Sequence, residues 1–141
     1  MSEGSDVPPE AQPRLGAVLI VDDEPLLRLS LSDFLQDHGL KVLEASSGDE
    51  ALAIMAAPDF QVDIVFTDVM MPGITDGFGL AKWIAENQPS VQVIVTSADV
   101  VRGAAAIEDG AKIVQFVPKP YDLDEVSTLI RRTLQEKTSS V

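Results

Sequence analysis

The 141-residue chain predicts a three-layer α/β sandwich built on a five-stranded parallel sheet. Short apolar runs alternate with longer segments of helical period, the pattern of consecutive βα units. Four of the five runs are almost wholly apolar, as strands covered on both faces by helices must be. Two of them end in aspartates, which puts acidic groups at the C-terminal edge of the sheet, where open α/β sheets carry their chemistry. The length suits one domain with a core of its own, needing neither disulfides nor a structural metal.

Taken in order, residues 1–14 are rich in Pro, Ser, Glu and Gly with few apolar side chains, and read as a disordered tail. The folded domain spans residues 15–136, and residues 137–141 form a short C-terminal tail. The first strand, residues 17–21, runs into Asp22 and Asp23. Pro25 pre-sets the first turn of helix one, which places Leu27, Leu31, Phe34 and Leu35 on one face until Gly39 stops it. His38 lies at the end of that helix, where an imidazolium suits the dipole and a phosphoacceptor role is not expected. The second strand, residues 41–45, mixes in Lys41 and Glu44 and reads as an edge.

Ser47 and Glu50 have the spacing of a capping box and open helix two. The third strand, residues 64–67, ends in Asp68, and the following loop, with Pro72 and Gly73, can present backbone N–H and C=O groups to ions. Trp83 is expected to pack on or near helix three. The fourth strand, residues 91–96, closes on Thr96, with the small Ser97 and Ala98 behind it. Helix four, near residues 100–108, contains Gly103 and few large apolar residues, so it is expected to be the least firmly held element. The fifth strand, residues 113–117, leads into Pro118-Lys119-Pro120, and Pro118 removes a ladder donor there. Asp122 and Glu125 repeat the capping-box spacing. Helix five then buries Leu123, Val126, Ile130 and Leu134, and Arg131, Arg132 and Lys137 face its negative pole.

A formal net charge of −13 works against unassisted nucleic-acid binding, because the phosphate backbone rewards clustered cations. The absence of cysteine removes thiolate catalysis and Cys-ligated zinc, and is compatible with a reducing compartment. No apolar run approaches the length that spans a bilayer, and no leader pattern is present. The expectation is a soluble, cytoplasmic protein with neither membrane nor nucleic acid as a direct partner.

If the first and third strands lie side by side, Asp22, Asp23 and Asp68 converge, and converging anions call for cations. Lys119, at the end of the fifth strand, is one. Carboxylates and carbonyls also suit Mg²⁺, which often binds through phosphate oxygens. The cluster therefore points to phosphoryl chemistry with a carboxylate nucleophile, where positioning and charge neutralisation do most of the catalysis. The Thr96 hydroxyl can donate to a phosphoryl oxygen. An aspartate after a strand is often only an N-cap, and Asp23 could cap helix one. Acids at two strand ends, with Thr96 and Lys119 at two more, are hard to explain by capping alone.

These pieces resemble the receiver domain of two-component response regulators. They are Val21-Asp22-Asp23-Glu24, Thr67-Asp68-Val69-Met70-Met71-Pro72-Gly73 with Asp76-Gly77, Val95-Thr96-Ser97-Ala98, and Phe116-Val117-Pro118-Lys119-Pro120. Any one is weak alone; four in this order at βα spacing are specific. The resemblance implies a flavodoxin-like sheet of order 2-1-3-4-5. It implies Asp68 as phosphoacceptor from a histidine kinase or phosphotransfer protein, and Mg²⁺ held by Asp23, Asp68 and the main-chain carbonyl of Met70, with Asp22 acting through water. Lys119 would pair with Asp68 and then with the phosphate. Thr96 and Phe116 would be the switch pair, and helix four, strand five and helix five would form the output face toward a downstream protein or a second copy. A cis Lys119-Pro120 bond is also implied. The loop 72–77 holds one residue more than the commonest family form. Met70 and Ala98 occupy the positions that tune phosphate lifetime, and neither can orient an attacking water, so slow self-dephosphorylation is expected.

On this reading the chain is a signalling switch rather than an enzyme, with at most intrinsic autophosphorylation and autodephosphorylation. It would be a single-domain regulator or the receiver of a larger protein. Two other classes stay open. One is a receiver-like interaction module that is not phosphorylated; the other is a metal-dependent phosphatase, which the acid pair on strand one fits poorly.

Overall fold

The computed structural model describes residues 16–57, 59, 61–71, 73, 75–101 and 113–139. The N-terminal tail, helix four beyond Val101, and Pro72 of the loop lie outside the described residues. Five strands, β1 (Ala17–Val21), β2 (Lys41–Ala45), β3 (Ile64–Asp68), β4 (Gln92–Ser97) and β5 (Ile113–Pro118), form one parallel sheet of order β2-β1-β3-β4-β5. The expected sheet order therefore holds. Helices α1 (Pro25–Asp37), α2 (Gly48–Ala56) and α3 (Gly77–Asn87) and a C-terminal helix (Leu123–Ser139) cover it. That last helix runs three residues into the stretch 137–141 expected as a tail, so Arg131 and Arg132 sit mid-helix and only Lys137 lies in its last turn.

Side chains alternate across each strand, and the alternation builds two cores. Val18, Ile20, Ile64, Phe66 and Ile94 meet Leu31 and Leu35 of α1 and Val126, Ile130 and Leu134 of the C-terminal helix. Leu19, Val21, Val65, Val93 and Val95 meet Ala51 and Met55 of α2 and Leu80, Ala81 and Ile84 of α3. Continuous apolar runs are needed because both faces are buried, and β1 and β3 are buried at every position. β2 is the half-exposed edge its Lys and Glu announce. β5 is the other edge, as the expected order requires, and departs only in cover: its residues are half-buried or exposed. Its register against β4 also shifts between Val93 and Ile94.

Helix α1 begins at Pro25, and its N-cap is Glu24 rather than Asp23, with no side-chain cap bond. Gly39 ends the turn at φ 89, a left-handed conformation that a side chain would strain. The Ser47 hydroxyl caps α2 by accepting from the Glu50 N–H at 3.1 Å. Glu50 returns to the Ser46 N–H, one residue before the cap, so the box closes one position early. Asp122 accepts from the N–H groups of Asp124 and Glu125, as its spacing predicts. Trp83 is partly buried against the α2/α3 core. His38 donates its Nδ1–H to the Phe34 carbonyl, 2.9 Å away.

Candidate functional site

Because all strands run one way, β1, β3, β4 and β5 end at the same rim, and each ladder fixes how far its last residue projects. Asp22 follows β1, held by its N–H to the Ala45 carbonyl of β2 (3.1 Å). Asp68 is the last residue of β3 and stands in register with Thr96 of β4. The next residue is tied by the Val69 N–H to the Thr96 carbonyl (2.9 Å). Lys119 follows β5, and its own N–H reaches the Ser97 carbonyl (2.9 Å), so the strand keeps a bond just past the donor lost at Pro118. The Lys119-Pro120 bond is cis, as implied.

The Lys119 ammonium sits among three carboxylates. Its Nζ lies 2.7 Å from Asp68 Oδ2, 2.9 Å from Asp22 Oδ2 and 2.9 Å from Glu24 Oε1. Asp22 and Asp68 are buried and Glu24 is exposed. The remaining oxygens are held by backbone donors: the Met70 N–H donates to Asp68 Oδ1 (3.0 Å) and the Glu24 N–H to Asp22 Oδ1 (2.9 Å). Burial pushes the Asp22 carboxyl above its usual range, and the Glu24 N–H and Lys119 only partly oppose this. Burial alone would lower the Lys119 ammonium, but its bonds to Asp68, Glu24 and Asp22 outweigh it and raise its pKa. Tyr121, two residues on, is pushed up by burial and by the nearby negative charge of Asp22. Its ring stands edge-on to Phe66, with centroids 5.5 Å apart.

Asp22, Glu24 and Asp68 bring carboxylate oxygens within 4.8 Å of one another. Hard oxygen donors in negative excess, with one ammonium to balance three acids, fit a divalent cation such as Mg²⁺. Among the described residues the buried Thr96 hydroxyl beside Asp68 has no hydrogen-bond partner, a costly state unless a ligand oxygen supplies one. Asp23 is exposed and is not one of the three grouped acids. The Met70 side chain is half exposed. Phe116 lies on β5, partly buried against the α2/α3 core.

In the sequence Glu24 stands out only as the last residue of Val21-Asp22-Asp23-Glu24, since its contact with Lys119 joins residues far apart in the chain. In the sequence Gly77 stands out only as part of Asp76-Gly77, yet α3 starts hard against the backbone of Asp68. A Cβ there would stand 2.4 Å from the Asp68 carbonyl oxygen and 2.7 Å from Val69 Cα. The Gly77 N–H donates to the Val69 carbonyl (3.0 Å), and Asp76 caps α3 by accepting from Gly79 (2.9 Å).

Compared with known proteins, residues 18–131 match the family model described as the response regulator receiver domain. The chain is 34% identical over 121 residues to the DNA-binding transcriptional regulator NtrC of Salmonella typhimurium, covering 84% of this chain and 25% of that protein. It is 34% identical over 120 residues to the sensor kinase CckA of Brucella abortus, covering 85% of this chain and 13% of that protein. The chain thus spans a quarter or less of these relatives. A response regulator receiver domain protein from Clostridium thermocellum superposes with a TM-score of 0.79 at 25% identity, over 89% of this chain and 99% of that one. Among the described residues no helix is long and apolar enough to cross a membrane.

Proposed function

The chain belongs to the response regulator receiver domain family, and on that premise we propose that it is a phosphorylation-activated switch whose acceptor is Asp68. The observation that carries this reading is the Lys119 ammonium 2.7 Å from Asp68 Oδ2, at the C-terminal rim of the sheet, with a buried Thr96 hydroxyl alongside that has no partner among the described residues. An Asp68 carboxylate oxygen attacks the phosphorus of a phosphohistidine on a histidine kinase or phosphotransfer protein. The new O–P bond forms as the P–N bond breaks, and its electron pair leaves with the imidazole. A small acyl phosphate can serve in place of the phosphohistidine, with carboxylate as leaving group.

This chain's own residues supply positioning and charge. The Met70 N–H fixes which Asp68 oxygen stays bound to the backbone, and Lys119 offsets the negative charge that accumulates as the anionic donor approaches. Mg²⁺ would be held by Asp22, Asp23, Asp68 and the Met70 carbonyl, with Glu24 as a further acid beside them, and would neutralise phosphoryl charge. Thr96 then donates to a phosphoryl oxygen, and Phe116 turns inward beside it. The altered β5 and C-terminal helix, with the segment between β4 and β5, form the face read by a downstream protein or a second copy. The covalent chemistry is limited to the domain's own phosphorylation and dephosphorylation, as suits a signalling domain. A histidine kinase as upstream partner is in keeping with the likeness to a sensor kinase.

Intact-mass spectrometry of the wild type and Asp68→Asn after incubation with acetyl phosphate and Mg²⁺ tests the reading. One phosphate on the wild type alone is expected. A phosphate on both proteins refutes the acceptor, and none on either, even with cognate kinases, points to an unphosphorylated interaction module.

A further inference from the structure

Arg28 of α1 reaches back to the acidic rim. Its Nη1 donates to the main-chain carbonyl of Asp22 at 2.7 Å, and its Nε donates to Glu44 Oε1 on β2 at 3.0 Å. The side chain is 17% exposed, so this guanidinium is not a solvated surface group, whereas Glu44 is 31% exposed at the sheet edge. Besides its ion pair with Lys119, Asp22 is held at three points. Its N–H is tied to Ala45 of β2, its carbonyl to Arg28, and its Oδ1 to the Glu24 N–H. Only the carbonyl tie depends on a side chain from outside the rim, and Arg28 can make it only while its fork is aimed. Glu44 occupies the Nε that aims it.

We propose that Arg28 is a positioning residue for the acidic site: oriented by Glu44, it fixes the Asp22 main chain and thereby sets the affinity for a divalent cation. The inference rests on the proposed cation-assisted phosphorylation and extends it to two residues that touch neither cation nor phosphoryl group. The planar guanidinium matters for its geometry, since two donors on one rigid fork satisfy two acceptors on different elements. A lysine at the same place carries the charge but cannot hold both acceptors in fixed directions.

Charge and positioning predict opposite signs, which makes the proposal testable. If Arg28 acted only as a nearby positive charge, its removal would tighten cation binding and Arg28→Lys would leave it unchanged. As a positioning residue its loss weakens binding despite the more negative site, and lysine fails to rescue. Groups that orient metal ligands typically change affinity by about 10-fold or more on removal, and Arg28→Ala and Arg28→Lys are each expected to weaken binding by about that low limit.

The experiment titrates Mn²⁺, as a paramagnetic stand-in for Mg²⁺, into the wild type, Arg28→Ala, Arg28→Lys, Glu44→Ala and the Arg28→Ala/Glu44→Ala double variant. Free Mn²⁺ is read by electron paramagnetic resonance and folding by circular dichroism, with phosphate uptake from acetyl phosphate measured alongside. The expected result is weaker binding in folded Arg28→Ala and Arg28→Lys, and no further loss on adding Glu44→Ala to Arg28→Ala. Equal or tighter binding in folded Arg28→Lys, or additive losses in the double variant, overturns the positioning role while leaving the proposed function standing. A wild type that takes up neither Mn²⁺ nor phosphate overturns both.

Discussion

β1 and β3 bring Asp22 and Asp68 to the rim from the middle of the sheet, whereas β5 brings Lys119 from its edge. The two central strands have neighbours on both sides and bury every residue. Around them the acids are tied to backbone N–H groups of Glu24 and Met70. β5 has one neighbour, a register shift against it, and an exposed Val114. Its lysine reaches the acids through a flexible four-carbon stem. Opposite charges of one site thus stand on parts of the fold with unequal freedom. The acidic half can keep its geometry while the cationic half follows a change of charge at Asp68, and a response to phosphorylation is expected to leave the domain by way of β5.

Core substitutions give the sharpest contrast. Phe66→Ala on β3 removes a fully buried ring and the edge-on contact with Tyr121, and is expected to cost about 3–5 kcal/mol in urea unfolding. Phe116→Ala, on the half-exposed β5, should cost clearly less; equal losses would mean that β5 is as tightly built in as the centre. Next comes Gly77→Ala. Its Cβ would meet main-chain atoms of Asp68 and Val69, which cannot swing away as a side chain can, so a loss of about 1–3 kcal/mol is expected together with slower phosphate uptake. Unchanged stability and uptake would show that the acidic half yields as easily as the edge.

The smallest expected effect runs the other way. A carboxyl whose pKa is raised on folding stabilises the fold when protonated. That contribution is complete below its ordinary 3.8 and is lost as pH rises through the folded value. At neutral pH Asp22 therefore burdens the fold with a buried charge, while Lys119 retains Asp68 and Glu24 as partners. Asp22→Asn should modestly raise the denaturation midpoint at pH 7, and the gain should shrink as pH falls toward 4. Lower stability of the variant at pH 7 would show that the Lys119 pair outweighs the burial.

Much of this was readable in the chain. Apolar runs located the strands within one or two residues because both sheet faces are covered, and Ser47 and Asp122 marked helix starts because capping is local. Asp22, Asp68 and Lys119 could be grouped because the ends of parallel strands converge. What stayed hidden depends on contacts between elements. The apolar run of β5 gave no sign of how exposed that edge strand is. The contacts of Arg28 depend on how α1 lies against β2, and Glu24, the N-cap of α1, meets Lys119 from 95 residues away. Gly77 carries no sign that α3 begins against the backbone of Asp68.

The central claim is that Asp68 itself takes the phosphoryl group, and the most direct test locates the bond. Wild-type protein treated with acetyl phosphate and Mg²⁺ is reduced with borohydride, which converts an aspartyl phosphate to homoserine, and its peptides are sequenced by mass spectrometry. Homoserine at position 68 alone is predicted. Conversion at Asp22, Asp23 or Glu24 instead, or phosphate uptake with no reducible acyl phosphate, would contradict the account.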